Sequence, residues 1–239
     1  VIIVGIDDTD IIDSPGTNQL ARLILKKIGS GARGAVIIRH QLFFDSRVPY
    51  TSKNGSASIQ LPHVNAADMP VLGEKIRKVM ADWFVEGSDP GLCMAAEVTE
   101  EMKQYGLRCK DRVITQEEAR DVAVRSGCYL EGLGGTNQGI VGALAGVGLV
   151  ATGDDGRVVH LASWPYPDDE FSGPQSVEDI TARGVHEIRS LESGERISDG
   201  PVDIGKHLRP NWRDSRIVLY VEAVTELESP ASWRALKIP

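Results

Sequence analysis

The run from Gly139 to Val150 is apolar and small, contains Gly142, Gly146 and Gly148, and carries no charged residue. A helix there, roughly Gln138 to Leu149, has no polar face to turn to water and must be buried. Its glycines let other backbones come close. The run falls well short of the ~20 residues that cross a bilayer, and no other apolar run approaches that length. The expectation is therefore a folded core without a membrane partner.

The rest of the chain alternates strand and helix patterns. Val1 to Ile6 is a β-branched run ending at charges and reads as a buried central strand. A turn at 11–16 leads to a helix with Leu20, Leu23, Ile24 and Ile28 on one face. Ala35 to Phe44 and Ser56 to Leu61 read as strands. From about Asn65 the pattern changes. Leu72, Ile76, Val79, Met80 and Trp83 form a helical stripe, Leu92 to Ala96 a short strand, and Thr115-Gln116-Glu117-Glu118 a capping box opening another helix. These predict a small inserted α+β subdomain over 63–126. Strands follow at Arg157 to Ala162 and Ile217 to Val221. Residues 165–175 read as an exposed loop and 226–239 as a loosely attached tail.

Composition narrows the function classes. The three cysteines, Cys93, Cys109 and Cys128, are far apart and lack any C-x-x-C pairing, so they read as free thiols rather than zinc ligands. The net charge is −8, which argues against broad non-specific nucleic-acid binding. Asp7, Asp8 and Asp10 interrupt the first apolar run too early for a secretory leader. The chain is read as cytoplasmic. The five histidines show no partnered spacing and are read as structural or exposed.

Four motifs carry possible chemistry. Asp7-Asp8-Thr9-Asp10 places three mutually repelling carboxylates directly after a strand, where a hard cation such as Mg²⁺ would offset the repulsion. A solvated acidic turn is the other reading. Lys53-Asn54-Gly55-Ser56 sets a lysine beside a glycine, as a phosphate contact would need, but Asn-Gly is first of all a hairpin signal. Gly134-Gly135-Thr136-Asn137-Gln138-Gly139 leads into the small-residue helix and would present N–H groups to an anion. Tight helix packing explains it equally well. In Asp13-Ser14-Pro15-Gly16-Thr17, Thr17 is first a candidate helix cap and second a hydroxyl facing the metal site.

Taken in order, these segments resemble the archaeal tRNA-isoleucine agmatinylcytidine synthetase (agmatidine synthase) family. The likeness rests on Gly5-Ile6-Asp7-Asp8-Thr9-Asp10, then Gly16-Thr17 and Leu20-Ala21. It continues through Val48-Pro49-Tyr50-Thr51-Ser52-Lys53-Asn54-Gly55-Ser56-Ala57, Asp89-Pro90-Gly91, and the helix Asn137-Gln138-Gly139 to Gly148. The matches span about residues 2–150, with weaker likeness to about 223. The resemblance implies an α/β (α+β) architecture. An ATP-binding, kinase-like domain over 1–62 and 127–225 would be interrupted by a ferredoxin-like unit. In that family this domain splits ATP to activate a tRNA cytosine and phosphorylates one of its own threonines. Thr17 is the equivalent by position. Asp7, Asp8 and Asp10 would hold Mg²⁺, and Asp8, Thr17 and Lys53 would serve catalysis. Lys53, Asn54, Gly55 and the 134–139 loop (Gly134, Gly135, Asn137, Gln138, Gly139) would contact ATP. The family continues into an OB-fold and a cysteine-rich zinc ribbon that residues 1–239 do not match, and Gln138 replaces its helix arginine. The expectation is ATP/Mg²⁺-dependent phosphoryl transfer or activation, with the acceptor, a small molecule or RNA, unassigned; the alternatives are a tRNA-modifying subunit acting with separate RNA-binding partners and a non-catalytic nucleotide-binding sensor. A homo-oligomer is compatible with it.

Overall fold

The computed structural model describes residues 1–48, 54–165, 170–225 and 230–238. The elements of its first part are β1 (Ile2–Asp7), α1 (Thr17–Ile28), β2 (Val36–Gln41), β3 (Gly55–Leu61), α2 (Met69–Trp83), β4 (Gly91–Ala95), α3 (Glu100–Asp111), α4 (Gln116–Ser126), β5 (Tyr129–Gly132), α5 (Gly139–Ala151) and β6 (Arg157–Leu161). The remainder adds β7 (Pro174–Gln175), α6 (Val177–Ala182), β8 (Glu187–Ser190), β9 (Val202–Asp203), β10 (Asn211–Arg213), β11 (Arg216–Ala223) and β12 (Trp233–Ala235). The architecture is mixed α/β. One sheet runs β5-β4-β1-β3-β2-β6-β10-β11-β12-β9-β7, with β8 pairing to β11.

β1 lies inside that sheet, antiparallel to β3 on one side and β4 on the other. Its alternation sorts the two faces. Ile2, Val4 and Ile6 join Leu20 and Ile24 of α1 and Ile76 and Met80 of α2. On the opposite face Cys93 and Ala95 of β4 join Met102 and Tyr105 of α3 and Ala143, Leu144 and Val147 of α5. The helix expected at Gln138 to Leu149 is this α5, and every residue from Gly142 to Val150 in it is buried. A Cβ at Gly5 would run into the Ala143 carbonyl, and one at Gly91 into the Gly139 backbone. Backbone-to-backbone contact of this kind is what the glycines of the helix and of the strands beneath it allow.

Three expectations need correction. The segment 63–126 does not make a sheet of its own: β4 pairs with β1, and β5 pairs with β4. Its helices divide between the two faces, α2 beside α1 and α3 beside α5. Second, α3 escaped the periodicity reading, although Thr99 caps it by accepting from the Met102 amide at 3.3 Å. Third, the expected tail puts β12 into the sheet between β11 and β9, and the Leu236 amide donates to the Tyr220 carbonyl at 2.9 Å. Among the described residues no helix is long and apolar enough to cross a membrane.

Antiparallel pairing brings several ends to one edge. Asp7 at the end of β1 lies opposite Gly91 at the start of β4, and Gln41 at the end of β2 opposite Gly55 at the start of β3. The N-terminus of α5 meets the same edge, because the Gly139 amide donates to the Asp89 carbonyl at 3.0 Å.

Candidate functional site

A cleft of about 530 Å³ opens at this edge. Asp7, Asp8, Asp10 and Thr17 line one side, Asn54, Gly55, Gln138 and Gly142 the base, and residues 109 and 112–117 the far wall. Leu42, Phe43, Ile114 and Val141 give it an apolar part. The far wall comes from the end of α3 and the cap of α4. It is tied to the sheet by the Phe43 amide, which donates to the Cys109 carbonyl at 2.9 Å.

The acidic side is built by a sharp turn. Asp8 adopts φ 52°, a left-handed conformation that Asp tolerates better than most residues. Its carbonyl accepts from the Asp89 amide at 3.1 Å, which pins the turn to the 84–90 loop. Asp7 packs its carboxylate against α5 so closely that a Cβ at Gly142 would collide with it. Burial, then the charge of Asp8, hold the Asp7 carboxyl well above the ordinary carboxylate range. Burial, then the charges of Asp89 and Asp10, push Asp8 up to about 6. The carboxylates therefore sit in a field of their own making, which a cation or bound proton relieves.

Thr17 occupies a different place from a cap. The N-cap of α1 is Gly16, which makes no side-chain cap bond. The Thr17 hydroxyl instead donates to Asp10 Oδ1 at 2.9 Å and accepts from the buried Thr9 hydroxyl at 3.0 Å. The less favoured sequence reading, a hydroxyl facing the acidic cluster, is the one the fold adopts.

The other motifs divide. Lys53 lies outside the described residues. Asn54 and Gly55 line the cleft, yet they are not the two-residue hairpin that Asn-Gly suggests: the connection between β2 and β3 runs from 42 to 54. The Asn54 amide donates to the Phe43 carbonyl at 2.7 Å, so it braces that connection. Of the glycine loop, Gln138 reaches the cleft, whereas Gly134, Gly135, Asn137 and Gly139 are not among its lining residues. The reason is Asp89. Its carboxylate accepts from the Thr136 amide and, at 2.7 Å, from the Thr136 hydroxyl, while its carbonyl takes the Gly139 amide. The loop already holds an anion, and it belongs to the chain.

Sequence reasoning missed the far wall and the apolar part. The capping box at Thr115 marked a helix start and gave no sign that the residues before it face Asp7 across a cleft. Thr115 does cap α4, accepting from the Glu118 amide at 3.2 Å.

Another polar cluster lies nearby and is sealed. His40 Nε2 is 2.8 Å from Ser58 Oγ, and His40 Nδ1 is 2.8 Å from Asp155 Oδ1. Ser58 and His40 are fully buried, so this Ser–His–Asp sequence has no route to a substrate and reads as structural. Cys93 and Cys109 are buried and Cys128 half-buried, all three as free thiols.

The residues present fit a divalent metal in one way. Among the described residues no group of three or more His, Cys, Asp and Glu side chains forms a complete ligand set. Mg²⁺ does not need one. It takes one or two carboxylates and completes its shell with water and phosphate oxygens.

No protein-family model matches the sequence, and no curated protein does. Solved structures do match. The structure of a tRNA fluorescent labeling enzyme is 25% identical, with a TM-score of 0.51 over 62% of this chain and 35% of that one. The TiaS–tRNA(Ile2)–ATP complex is 21% identical, with a TM-score of 0.54 over 76% of this chain and 43% of that one. Apo TiaS, the tRNA-Ile2 agmatidine synthetase, is 21% identical, with a TM-score of 0.50 over 78% and 44%. The chain has a TiaS-like fold and spans less than half the length of these proteins.

Proposed function

We propose that this chain is an ATP/Mg²⁺-dependent phosphoryl-transfer or ATP-activating module of the kind used in tRNA modification. The observation that carries the reading is the convergence of Asp7, Asp8, Asp10, Thr17, Asn54, Gly55 and Gln138 on one cleft. They come from four separate stretches of chain. The fold shared with a TiaS–tRNA(Ile2)–ATP complex supports the same reading.

In this reading Asp7, Asp8 and Asp10 would hold Mg²⁺ together with the phosphates of ATP. The metal, when bound, neutralises phosphate charge and lowers the cost of placing an anion beside carboxylates. The apolar part of the cleft, with Phe43 and Ile114, takes the base. Thr17 is the acceptor within the chain. Its oxygen forms a bond to the γ-phosphorus as the bond from that phosphorus to the β–γ bridging oxygen breaks, and ADP leaves. The Thr17 proton passes to Asp10, which already accepts it in a hydrogen bond. Asp8 would contribute by helping to hold that metal, and Lys53 would add a positive charge at the phosphates.

Calorimetric titration with ATP and Mg²⁺ tests the reading, with Asp8→Asn as control. The unaltered chain should bind, and the variant should bind at least about tenfold more weakly. No heat at millimolar nucleotide would sink the proposal. The acceptor class is tested separately by gel shift with tRNA. Binding assigns an RNA acceptor, and its absence leaves a small molecule or Thr17 alone.

A further inference from the structure

The edge that carries the cleft has a second charged feature on its other face. Arg39 of β2 and Arg157 of β6 are direct cross-strand partners. Directly opposite side chains leave a sheet on the same face and lie within contact of each other. Alternation along β2 groups Arg39 with Ile37, which packs in the core under α1, and separates it from Ile38 and His40. The helix α1 covers this region, where Arg22 donates to the Val159 carbonyl at 2.9 Å.

Neither Arg39 nor Arg157 makes a side-chain hydrogen bond or a close ion pair among the described residues, and the one carboxylate whose charge acts on Arg39 is Asp7. Both are half-buried, and Arg157 Nε is wholly buried with nothing to donate to. Burial lowers both guanidinium pKa values, and the charge of Arg157 lowers that of Arg39 further, against a smaller upward pull from Asp7. Asn18, one turn before Arg22 on α1, also has a buried side-chain oxygen without a partner. Exchanging its amide oxygen and nitrogen would make it a donor to the same space. Like charges placed opposite each other weaken a sheet. Buried donors left unpaired weaken it again. One ligand class removes both costs: a tetrahedral oxyanion, whose several oxygens accept from two guanidinium forks at once.

The space adjoins the cleft. Gly55 lines the cleft, and a Cβ there would stand 2.9 Å from Arg39 Nη2. Lacking a side chain, Gly55 leaves Arg39 beside the cleft base.

We propose that Arg39 and Arg157 form a phosphate-binding subsite on the face of the sheet opposite α5. Its ligand is a phosphate-type oxyanion, either the phosphate of a nucleotide reaching past Gly55 or a free phosphate or pyrophosphate. The inference goes beyond the ATP reading, because binding a free anion here needs neither metal nor carboxylates.

The test is titration of the full chain with pyrophosphate in the presence of EDTA. The chain should bind, and Arg39→Gln and Arg157→Gln should each weaken binding about tenfold or more. Arg157→Lys should recover part of the loss, since it keeps the charge without the fork. Melting without anion separates ligand binding from a structural role. Relief of repulsion should leave Arg157→Gln melting at or above the unaltered chain, whereas an arginine that only holds the fold would melt lower when removed. A second arm with ATP and Mg²⁺ identifies the source. Parallel weakening assigns the anion to the nucleotide, and unchanged ATP binding assigns it to a free phosphate. The proposal is overturned if the unaltered chain shows no binding at about 10 mM pyrophosphate. It is equally overturned if both glutamine variants bind as the unaltered chain does, or if Arg157→Gln melts lower.

Discussion

Two clusters of ionisable groups, one largely buried and one half-buried at the cleft, sit within one layer of sheet and are built on opposite principles. In the His40–Asp155–Lys110 cluster each charge meets its opposite. Lys110 donates to Asp155 and, at 3.3 Å, to the Gln41 carbonyl, while His40 bonds to Asp155 and Ser58. Burial alone would raise the Asp155 pKa. The hydrogen bonds and charges of His40 and Lys110 outweigh it and hold the carboxyl below its usual value. In the Asp7–Asp8–Asp10 cluster like charges meet, with Asp89 adding another, and Asp7 and Asp8 are pushed upward. The first cluster is paired as a structural device is, and the raised pKa values of Asp7 and Asp8 are the pattern expected of the second if it binds a cation, as proposed above.

Removing a member of each cluster sharpens the contrast. Asp155→Ala should be the most damaging change, because it leaves Lys110 and His40 without their anion. Breaking one partner out of a buried ion pair costs about 3–5 kcal/mol, and the partly exposed Lys110 places this case near the lower end. Urea denaturation measures it. A loss under about 1 kcal/mol would mean that water reaches the cluster and the pairing matters little. The same variant should disturb the cleft, since Lys110 adjoins the Cys109 and Arg112 wall.

Next in size is Gly142→Ala. A methyl there meets the Asp7 carboxylate, so either α5 lifts from the strand or Asp7 turns away. Overpacking of this kind costs about 1–3 kcal/mol. Nucleotide binding should weaken along with stability. A variant as stable as the unaltered chain that still binds ATP would show that Asp7 is not wedged against α5.

The contrast between the clusters also shows what a linear reading can see. The acidic cluster was legible because its members lie within four residues, after a run that only a strand explains. α5 was legible because an uncharged stretch rich in glycine has no place at a surface. The His40–Asp155 pair spans 115 positions and Lys110–Asp155 spans 45, so no local pattern announces them. Arg39 and Arg157 meet only because β2 pairs with β6. The tail was misjudged for a similar reason. Trp233 to Ala235 is too short to show a period, and its place is fixed by β11 and β9. The glycine loop offered its amides correctly, but its anion turned out to be Asp89, some 47 residues away. Thr17 shows the reverse case, where a local cap was the simpler guess and Gly16 had already taken that position.

The smallest expected effect separates the clusters most cleanly, because its sign depends on pH. The folded pKa of Asp8 is about 6, above the ~3.9 of an unfolded aspartate. Between these values the folded chain holds more protons than the unfolded one. The contribution of Asp8 to stability is therefore most favourable in acid and is lost as pH rises through 6. At pH 7.5 the cost is fully present, and after discounting for solvent screening it is about 1 kcal/mol. Asp8→Asn should then stabilise the metal-free chain by about that amount at pH 7.5 and leave it nearly unchanged at about pH 4, where Asp8 is already neutral. Asparagine suits the φ of 52°, and the bond from the Asp89 amide goes to the backbone carbonyl, so both survive the change. His40 runs the other way. Burial lowers its pKa, so the folded chain takes up the His40 proton at a lower pH than the unfolded chain does, and its contribution to stability falls in acid. Thermal melts of both chains at the two pH values cancel the His40 part, which the variant shares, and isolate Asp8. An equal gain at both pH values would assign the effect to packing of the amide, and the repulsion among the aspartates would then not be what readies this cluster for a cation.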